Sequence, residues 1–235
     1  MSAPKDALTA PRMALRTAII LFVFVVLFTG LLSAVYWQTL PTINAAASEE
    51  KMKLIDEVLP RQHYDNALLK DTLSLPPTAA FGQDEASIVY RARQMGEDRA
   101  LVFECIAPDG YAGKIRLLVA LDADGRLLGV RVVQHKETPG LGDYIDPKKD
   151  KNKAHPWILQ LDGLQAARVS EGEWKVKKDG GRFDSLAGAT VSPRAVLKAV
   201  RRAATYVAEN RPQLFAPALV AAPSNELNTE PRTKP

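Results

Sequence analysis

An apolar run near the start of the chain, from Thr17 to Val35, most constrains how the chain folds, because it contains no charged residue. In a helix that rises about 1.5 Å per residue, its 19 residues extend roughly 28 Å, which is enough to cross the hydrocarbon core of a bilayer. Tyr36 and Trp37 follow, and aromatic residues of this kind favour the membrane interface. The pattern therefore predicts a transmembrane helix over residues 17–37.

The charges on either side of this run predict its orientation. Lys5, Arg12 and Arg16 come before it, and acidic residues come after it. By the positive-inside rule, residues 1–16 are cytoplasmic and the large C-terminal part is exported. A cleaved signal peptide is the rival interpretation, but the run is longer than the usual apolar region of about 7–15 residues. Small residues that resemble a cleavage site, at 45–48, also lie far downstream, so an uncleaved anchor is favoured.

Composition argues against several classes of protein. The net charge of +4 is mild and the basic residues are scattered, which gives little support to nucleic-acid binding. The single cysteine, Cys105, excludes an internal disulfide and a cluster held by several thiolates. His63, His135 and His155 lack the paired spacing of a metal site. The chain also has no nucleophile elbow, no P-loop and no glycine-rich dinucleotide motif after a strand, so nicotinamide binding by this chain has no motif behind it.

The rest of the chain predicts an α+β fold. Pro41 is expected to end the membrane segment and Ser48 to start a short packing helix, so that residues 38–84 form a juxtamembrane helix and linker. Period-two patterns then predict antiparallel strands, with a turn at 122–125 and packing helices against the sheet. The predicted strands are 87–92, 101–105, 115–121 and 127–133, and a further strand and turn is expected over 174–181. The folded domain is assigned to 85–211, and a flexible tail to 212–235.

A turn of small residues leads into the last helix. Ser192 suits the N-cap and Pro193 the first helical position, and apolar residues then recur at helical spacing. The free N–H groups of a helix N-terminus favour an anion, and Gly188 and Ala189 leave room for it beside the Thr190 hydroxyl. From these residues alone, the turn is either a phosphate site or a loop that packs closely.

A second loop follows the last predicted strand. Pro139, Gly140 and Gly142 allow the backbone to approach a flat ligand closely, and Leu141 offers it an apolar surface. An ordinary turn after a strand has the same composition. The residues of this loop therefore leave both interpretations open.

Together the two segments resemble a known family. Asp184-x-x-Ala187-Gly188-Ala189-Thr190 is similar to the acceptor motif of the FMN-binding domain family, in which the phosphate of FMN is attached to the threonine hydroxyl. The stretch from Gly110 to Gly142, with its His135–Gly142 loop, resembles the second motif of the family. Within the family the chain is most similar to G subunits of the Rnf (Rsx) ion-translocating electron transport complex. Ala187 departs from the usual Ser or Thr, which removes a hydroxyl at that position.

This resemblance implies a covalent flavin site and assigns its residues. The implied attachment point is Thr190, and the acceptor loop and helix N-terminus on the phosphate side comprise Asp184, Gly188, Ala189 and Ser192. The implied contacts of the isoalloxazine ring are Glu137, Thr138, Gly140, Leu141 and Gly142. The implied fold is a single transmembrane helix followed by an exported FMN-binding domain. No catalytic residue and no metal ligand are implied.

The resemblance also implies partners and a location. The chain would be an electron-carrying subunit in the bacterial inner membrane, with its main domain in the periplasm. Its implied partners are a flavin transferase, a second FMN-bearing membrane subunit, and iron–sulfur subunits that exchange electrons with ferredoxin and NAD. Two alternatives remain: the C subunit of the sodium-pumping NADH:quinone reductase, and a non-redox membrane-anchored binding domain in which the small-residue turn is only structural.

Overall fold

The computed structural model of the chain describes residues 9–216. The predicted tail, apart from its first few residues, and the first residues of the predicted cytoplasmic segment lie outside this range. The chain divides into two compact units, residues up to Lys51 and residues from Met52 onward. Each unit is described by itself.

The first unit consists of one helix. Helix α1 spans Thr9–Asp56, and its last turn belongs to the second unit. It is long and apolar enough to cross a membrane, and its most apolar window has a mean hydropathy of 2.8. The prediction that the helix ends at Pro41 and restarts at Ser48 is wrong, because α1 is continuous through both positions. A proline removes one backbone donor, whereas the alanines and acids at 45–50 favour helix on its C-terminal side.

The second unit is built on a five-stranded sheet in which neighbours in sequence are neighbours in space, all antiparallel. Its strands are β1 (Thr72–Leu75), β2 (Ser87–Gln94), β3 (Glu97–Ala107), β4 (Ile115–Asp122) and β5 (Leu127–Gln134). The predicted α+β class and antiparallel meander are confirmed. Strand β1 was missed, because its four residues lie in a segment dominated by proline and turn residues.

Period-two alternation divides the apolar residues between the two faces of the sheet. On β3, Leu101, Phe103 and Cys105 belong to the larger core, whereas Ala100 and Val102 belong to a smaller one. The smaller core is completed by apolar residues at and just after the end of α1. The larger core is completed by helix α2, which spans Val191–Phe215, and by short 3-10 helices in the long connection after β5.

Helix α2 differs from its prediction at both ends. It begins one residue before Ser192, with Thr190 as the N-cap, and it continues through Pro212 to Phe215. The strand predicted over 174–181 is also wrong: this segment holds a 3-10 turn, Lys177–Asp179, and a single bridge between Val176 and Phe183. The connection therefore delivers the chain to α2 through irregular backbone, and this backbone forms the candidate site.

Candidate functional site

The acceptor turn, defined as residues 184–190, has a conformation that glycine makes possible. Gly188 has a φ of +82°, in the left-handed region, and nothing lies within 4 Å of where a Cβ would be. The N–H of Ala189 donates to the carbonyl of Leu186 at 3.1 Å and closes the turn. Ala187 and Gly188 are exposed, whereas Ala189 and Thr190 are each 8% exposed. The turn therefore presents its tip to solvent and leads Thr190 back to the start of α2.

Thr190 occupies the N-cap position but does not cap the helix. An N-cap threonine usually accepts a hydrogen bond from the N–H of the second or third helical residue. The Thr190 side chain makes no such bond. The third helical residue is Pro193, which has no N–H to donate. The hydroxyl is therefore not committed to the helix, while the first-turn amides of Val191 and Ser192 have no intrahelical acceptor.

Side chains from the long connection hold the acceptor turn. The Tyr144 hydroxyl accepts from the N–H of Leu186 at 3.1 Å and donates to the carbonyl of Ala189 at 3.0 Å. The Trp157 indole N–H donates to the carbonyl of Asp184 at 2.5 Å, and the Asp184 N–H donates to Gln160 Oε1 at 2.8 Å. The Tyr144 and Trp157 rings pack edge to face, with centroids 5.9 Å apart. The backbone of the turn is therefore fixed by residues remote in sequence.

Glu137 joins three loops near the start of α2. Its Oε2 accepts a hydrogen bond from the Ser192 hydroxyl, and its Oε1 accepts one from the N–H of Ala112 at 3.1 Å. Glu137 is 4% exposed and Ser192 1% exposed. A Cβ on Gly142 would lie 2.5 Å from Ser192 Oγ and 2.8 Å from Glu137 Oε2, so only glycine fits there. The partial positive charge of a helix N-terminus also favours this buried carboxylate.

The loop after β5 lies beside the start of α2 through this same contact. Gly140 has a φ of +77°, and its N–H donates to Asp143 Oδ1 at 2.8 Å. The N–H of Leu141 donates to the carbonyl of Thr138 at 3.1 Å. The Leu141 side chain, which follows this turn, is 49% exposed. Leu186 and Val191, which flank the acceptor turn, are also exposed, so apolar surface is available on both segments.

The charged side chains around the turn are paired with one another. Asp184, 64% exposed at its side chain, lies 2.6 Å from the Lys177 ammonium. Arg194 binds Asp179 through two nitrogens at 2.6 and 2.7 Å. The Arg194 hydrogen bond lowers the pKa of Asp179 from its ordinary value. Backbone amides therefore offer a more direct anion contact than these side chains.

The structure brings the predicted residues together in two groups. The first group is a buried contact between Glu137, Gly142 and Ser192. The second group is the acceptor turn, which contains the remaining residues predicted on the phosphate side. The Ser192 hydroxyl is hydrogen-bonded to the Glu137 carboxylate. The candidate ligand contact of Ser192 is therefore its backbone N–H and not its side chain. Whether any of these residues contacts a cofactor stays a prediction.

Sequence analysis missed the residues that support the turn. Tyr144, Trp157 and Gln160 lie in segments of irregular structure, where periodicity gives no signal. A partial signal existed, because Tyr and Trp that become buried usually need a partner for their O–H or N–H. Their partners are backbone atoms far away along the chain, and local sequence does not specify them.

These observations fit a phosphate and a flat ring. Unpaired first-turn amides and a glycine-opened turn suit a phosphate on the Thr190 oxygen. Exposed apolar side chains on the two adjacent segments suit one face or edge of a planar heterocycle. The described residues therefore agree with the type of ligand that the sequence predicts.

Comparison with protein families identifies two matches that together span much of the chain. Residues 110–205 match the family described as FMN-binding domain. Residues 1–58 match the family described as the RnfG N-terminal region. The first match contains both loops of the candidate site, and the second contains the whole of helix α1.

Curated relatives match over nearly their whole length. The chain is 43% identical over 212 residues to the G subunit of the ion-translocating oxidoreductase complex of Pseudomonas aeruginosa (strain UCBPP-PA14), covering 90% of this chain and 96% of the relative. It is 38% identical over 200 residues to the protein of that name from Pseudoalteromonas atlantica, covering 85% and 91%. A solved structure, NqrC of Shewanella oneidensis, matches 60% of this chain and 65% of its own, with 22% identity and a TM-score of 0.39.

Proposed function

Because the chain belongs to the family of G subunits of ion-translocating oxidoreductase complexes, we propose that it carries FMN as a phosphoester on Thr190. Family membership, an FMN-binding domain and membrane anchoring are established by the relatives and by α1, as the sequence predicted. The covalent linkage and the residues that make it are the proposal.

The uncommitted Thr190 hydroxyl carries this proposal. It sits at the N-terminus of a 25-residue helix, at a position where an attached phosphate would adjoin the first-turn amides. Pro193 prevents the usual cap bond to the third helical residue, and Gly188 keeps bulk away from the turn. The same features that make Thr190 a poor cap make it a suitable acceptor.

Attachment requires an activated flavin donor and a transferase. The Thr190 oxygen would form a bond to the flavin-side phosphorus of a flavin–nucleotide pyrophosphate. The bond to the bridging oxygen would break, a nucleoside monophosphate would leave, and the hydroxyl proton would be released. No electrons are exchanged in this step. Asp184, Gly188 and Ala189 form the loop that the transferase would recognise.

The loop from Glu137 to Gly142 would border the isoalloxazine ring. Thr138, Gly140 and Leu141 are at least partly exposed, so their backbone or side chains are available to it. Glu137 and Gly142 are buried against Ser192 and would hold the loop at the start of α2. The ring would thus lie over apolar surface beside its own point of attachment.

The bound FMN would supply one- and two-electron transfer between other subunits of the complex. A covalent tether suits such a carrier, because it keeps the flavin at high effective concentration outside the inner membrane, where a weakly bound cofactor is lost by dilution. The proposed partners are a second FMN-bearing membrane subunit and iron–sulfur subunits on the ferredoxin and NAD side. Nothing in the charge distribution favours a nucleic-acid partner.

The proposed location is the bacterial inner membrane, crossed once by α1. Arg12 and Arg16 precede the apolar run, and Glu49 and Glu50 follow it on the same helix. This asymmetry supports a cytoplasmic N-terminus and a periplasmic domain. Fusion of alkaline phosphatase to the C-terminus tests the orientation, and high phosphatase activity is expected. If only a fused reporter that works in the cytoplasm is active, the proposed orientation is reversed.

The linkage is tested by mass analysis of the full-length protein purified from a host that contains a flavin transferase. Trypsin releases the peptide Phe183–Arg194, which holds three hydroxyl residues: Ser185, Thr190 and Ser192. We expect an addition equal to FMN less water on this peptide, with fragment ions that place it on Thr190. Flavin fluorescence should also stay with the band on a denaturing gel.

Matched variants separate the Thr190 hydroxyl from that of Ser185. Thr190→Ala should abolish the fluorescent band, whereas Ser185→Ala should keep it. If Thr190→Ala retains covalent flavin, the proposed attachment point is wrong. If the wild-type peptide remains unmodified when purified transferase and flavin donor are supplied, the non-redox interpretation of the turn is the better one.

A further inference from the structure

We propose that Tyr144 and Trp157 are positioning residues that preset the acceptor turn for transfer of FMN onto Thr190. The inference rests on the proposed function and adds to it that the support of the acceptor turn by the folded domain sets the rate of transfer. Neither residue belongs to the acceptor motif. Their hydrogen bonds to the turn go to its backbone, near both of its ends.

The Tyr144 hydroxyl spans the tip of the turn. It accepts from the N–H of Leu186 at 3.1 Å and donates to the carbonyl of Ala189 at 3.0 Å, while Ala189 N–H donates to Leu186 carbonyl at 3.1 Å. One phenol therefore pairs with a backbone donor and a backbone acceptor of the turn. Burial raises the pKa of the Tyr144 phenol, so the hydroxyl keeps the proton that it donates.

Trp157 fixes the entry to the same turn. Its indole N–H donates to the Asp184 carbonyl at 2.5 Å, and its own backbone N–H donates to Asp150 Oδ2 at 2.7 Å. Asp150 is 7% exposed and also accepts from the N–H of Asn152 at 2.9 Å. Asp150 therefore fixes the backbone of Trp157, from which the indole reaches the turn.

The turn needs external support because of its own composition. Glycine reaches positive and negative φ with similar ease, so Gly188 alone does not select the observed +82°. Ala187 and Gly188 are exposed and contribute little packing. If the side chains that bridge the turn are removed, it populates other conformations, and the rate of a reaction at Thr190 falls with the competent fraction.

Tyr144→Phe is the main test, since it removes one oxygen and leaves the ring. Tyr206→Phe is the matched control: Tyr206 lies on α2 and packs edge to face on Phe81, away from the acceptor turn. Trp157→Phe is a second variant: it removes the indole bond to Asp184 and also changes the ring that packs against Tyr144. All are made in the full chain and kept in detergent without flavin.

The first readout is hydrogen exchange of the flavin-free protein. In Tyr144→Phe we expect exchange of the segment 184–190 to rise on the order of tenfold, because a buried backbone pair loses its partner. Peptides from β3, β4 and the middle of α2 should exchange as in wild type. Unchanged exchange in 184–190 would overturn the inference, and so would an equal rise in the Tyr206→Phe control.

The second readout is the rate of flavin transfer by purified transferase, with flavin adenine dinucleotide as the donor. At a sub-saturating concentration of this protein, we expect the transfer rate to fall on the order of tenfold in Tyr144→Phe, because a smaller fraction of the protein is competent. The KM for the donor should stay unchanged, because the donor binds the transferase and not this turn. Loss of fold would instead lower the modified fraction at completion. Equal transfer rates in wild type and both variants would refute the positioning role.

The two proposals fail differently. If wild-type protein accepts no FMN on Thr190, the proposed function fails and the inference falls with it. If wild type is modified and Tyr144→Phe and Trp157→Phe are modified equally fast, only the inference fails. Slow modification of both variants, with wild-type behaviour of Tyr206→Phe, supports both proposals.

Discussion

The two ends of helix α2 differ in whether the protein itself satisfies their backbone polar groups. At its C-terminal end, the carbonyl oxygens of Phe215 and Ala216 accept hydrogen bonds from the guanidinium groups of Arg93 and Arg91 on β2. At its N-terminal end, the Thr190 side chain makes no cap bond, and the third helical residue has no N–H. One end is closed by the protein itself, and the other keeps its polar groups available.

The difference distinguishes the end of this helix that stabilises the fold from the end that is suited to a ligand. Both ends carry unsatisfied backbone groups by geometry, and a stable fold normally satisfies them. The C-terminal end uses buried positive charge, which also complements the helix dipole there. The N-terminal end is held by contacts around it, through Tyr144 and Glu137, and not by contacts to its first amides. A terminus that the fold supports but does not close is suited to a ligand.

The largest effect on stability should come from opening the closed end. Arg91 is 4% exposed and lies 2.6 Å from Asp71, which also pairs with Arg93 at 2.9 Å. Arg91→Ala leaves the end of α2 and half of this pair unsatisfied, so we expect the free energy of unfolding to fall by about 2–3 kcal/mol. Urea denaturation of the full chain in detergent measures it.

A matched variant keeps this prediction specific. Arg116→Ala removes an arginine from β4 of the same sheet, where its pair with Glu104 is only partly buried, and it should cost less than about 1 kcal/mol. Below its melting temperature, Arg91→Ala should accept FMN as wild type does. Impaired loading in a fully folded Arg91→Ala protein would mean that the two ends are coupled and would remove the contrast.

A smaller effect is expected from the support of the open end. Glu137→Ala strips Ser192 Oγ and the N–H of Ala112 of their acceptor in a buried place, which should cost about 1–2 kcal/mol and lower the final FMN loading. Glu137→Gln keeps an acceptor for Ala112 and a polar partner for Ser192, so it should recover most of both. If Gln behaves like Ala, the charge rather than the hydrogen bonding of Glu137 is what matters.

The fold was predictable from sequence where periodicity is strong. The apolar run, four of the five strands and α2 follow from regular patterns, whereas the four-residue β1 has too few residues to show one. The break predicted at Pro41 fails because a local rule for a single residue was outweighed by the good helix formers after it. The boundaries of both helices were the least predictable features, as terminal residues depend on contacts made elsewhere.

The candidate site was predictable in its motif and not in its support. The small-residue turn before a helix identifies Thr190 and Gly188 from sequence. The N-cap was assigned to Ser192, because its type suits that position, but its hydroxyl donates to Glu137 instead. Tyr144 and Trp157 act on backbone atoms far away in sequence, and no local pattern distinguishes them from other buried aromatics.

A still smaller effect is expected at Thr190 itself. Replacing an N-cap threonine by alanine usually costs about 0.5–2 kcal/mol, because a cap bond is lost. Since the Thr190 side chain makes none, Thr190→Ala should change the free energy of unfolding of flavin-free protein by less than about 0.5 kcal/mol. A loss of about 1 kcal/mol or more in urea denaturation would show that the hydroxyl does cap α2, and the open end would be closed after all.

The smallest effect should come from the exposed ion pair one turn into α2. Arg194 binds Asp179 through two nitrogens and lowers the pKa of Asp179 below its ordinary value of 3.8. A carboxyl group whose pKa is lower in the folded state contributes stability above its unfolded pKa and loses it as the pH falls through its folded pKa. Asp179→Asn should therefore melt slightly below wild type at pH 7, with the gap closing only below pH 3.8.

The matched comparison is with the buried pair at the other end. Asp71→Asn should lower the melting temperature at pH 7 by several times more than Asp179→Asn, because Asp71 serves both Arg91 and Arg93 and one of these is buried. Thermal melts of the two variants and wild type at pH 7 and below pH 3.8 measure both gaps. A larger loss in Asp179→Asn than in Asp71→Asn would mean that the N-terminal end of α2 depends on its own surface charges for closure. The acceptor turn would then be stabilised by the helix it precedes, and not only by the loops around it.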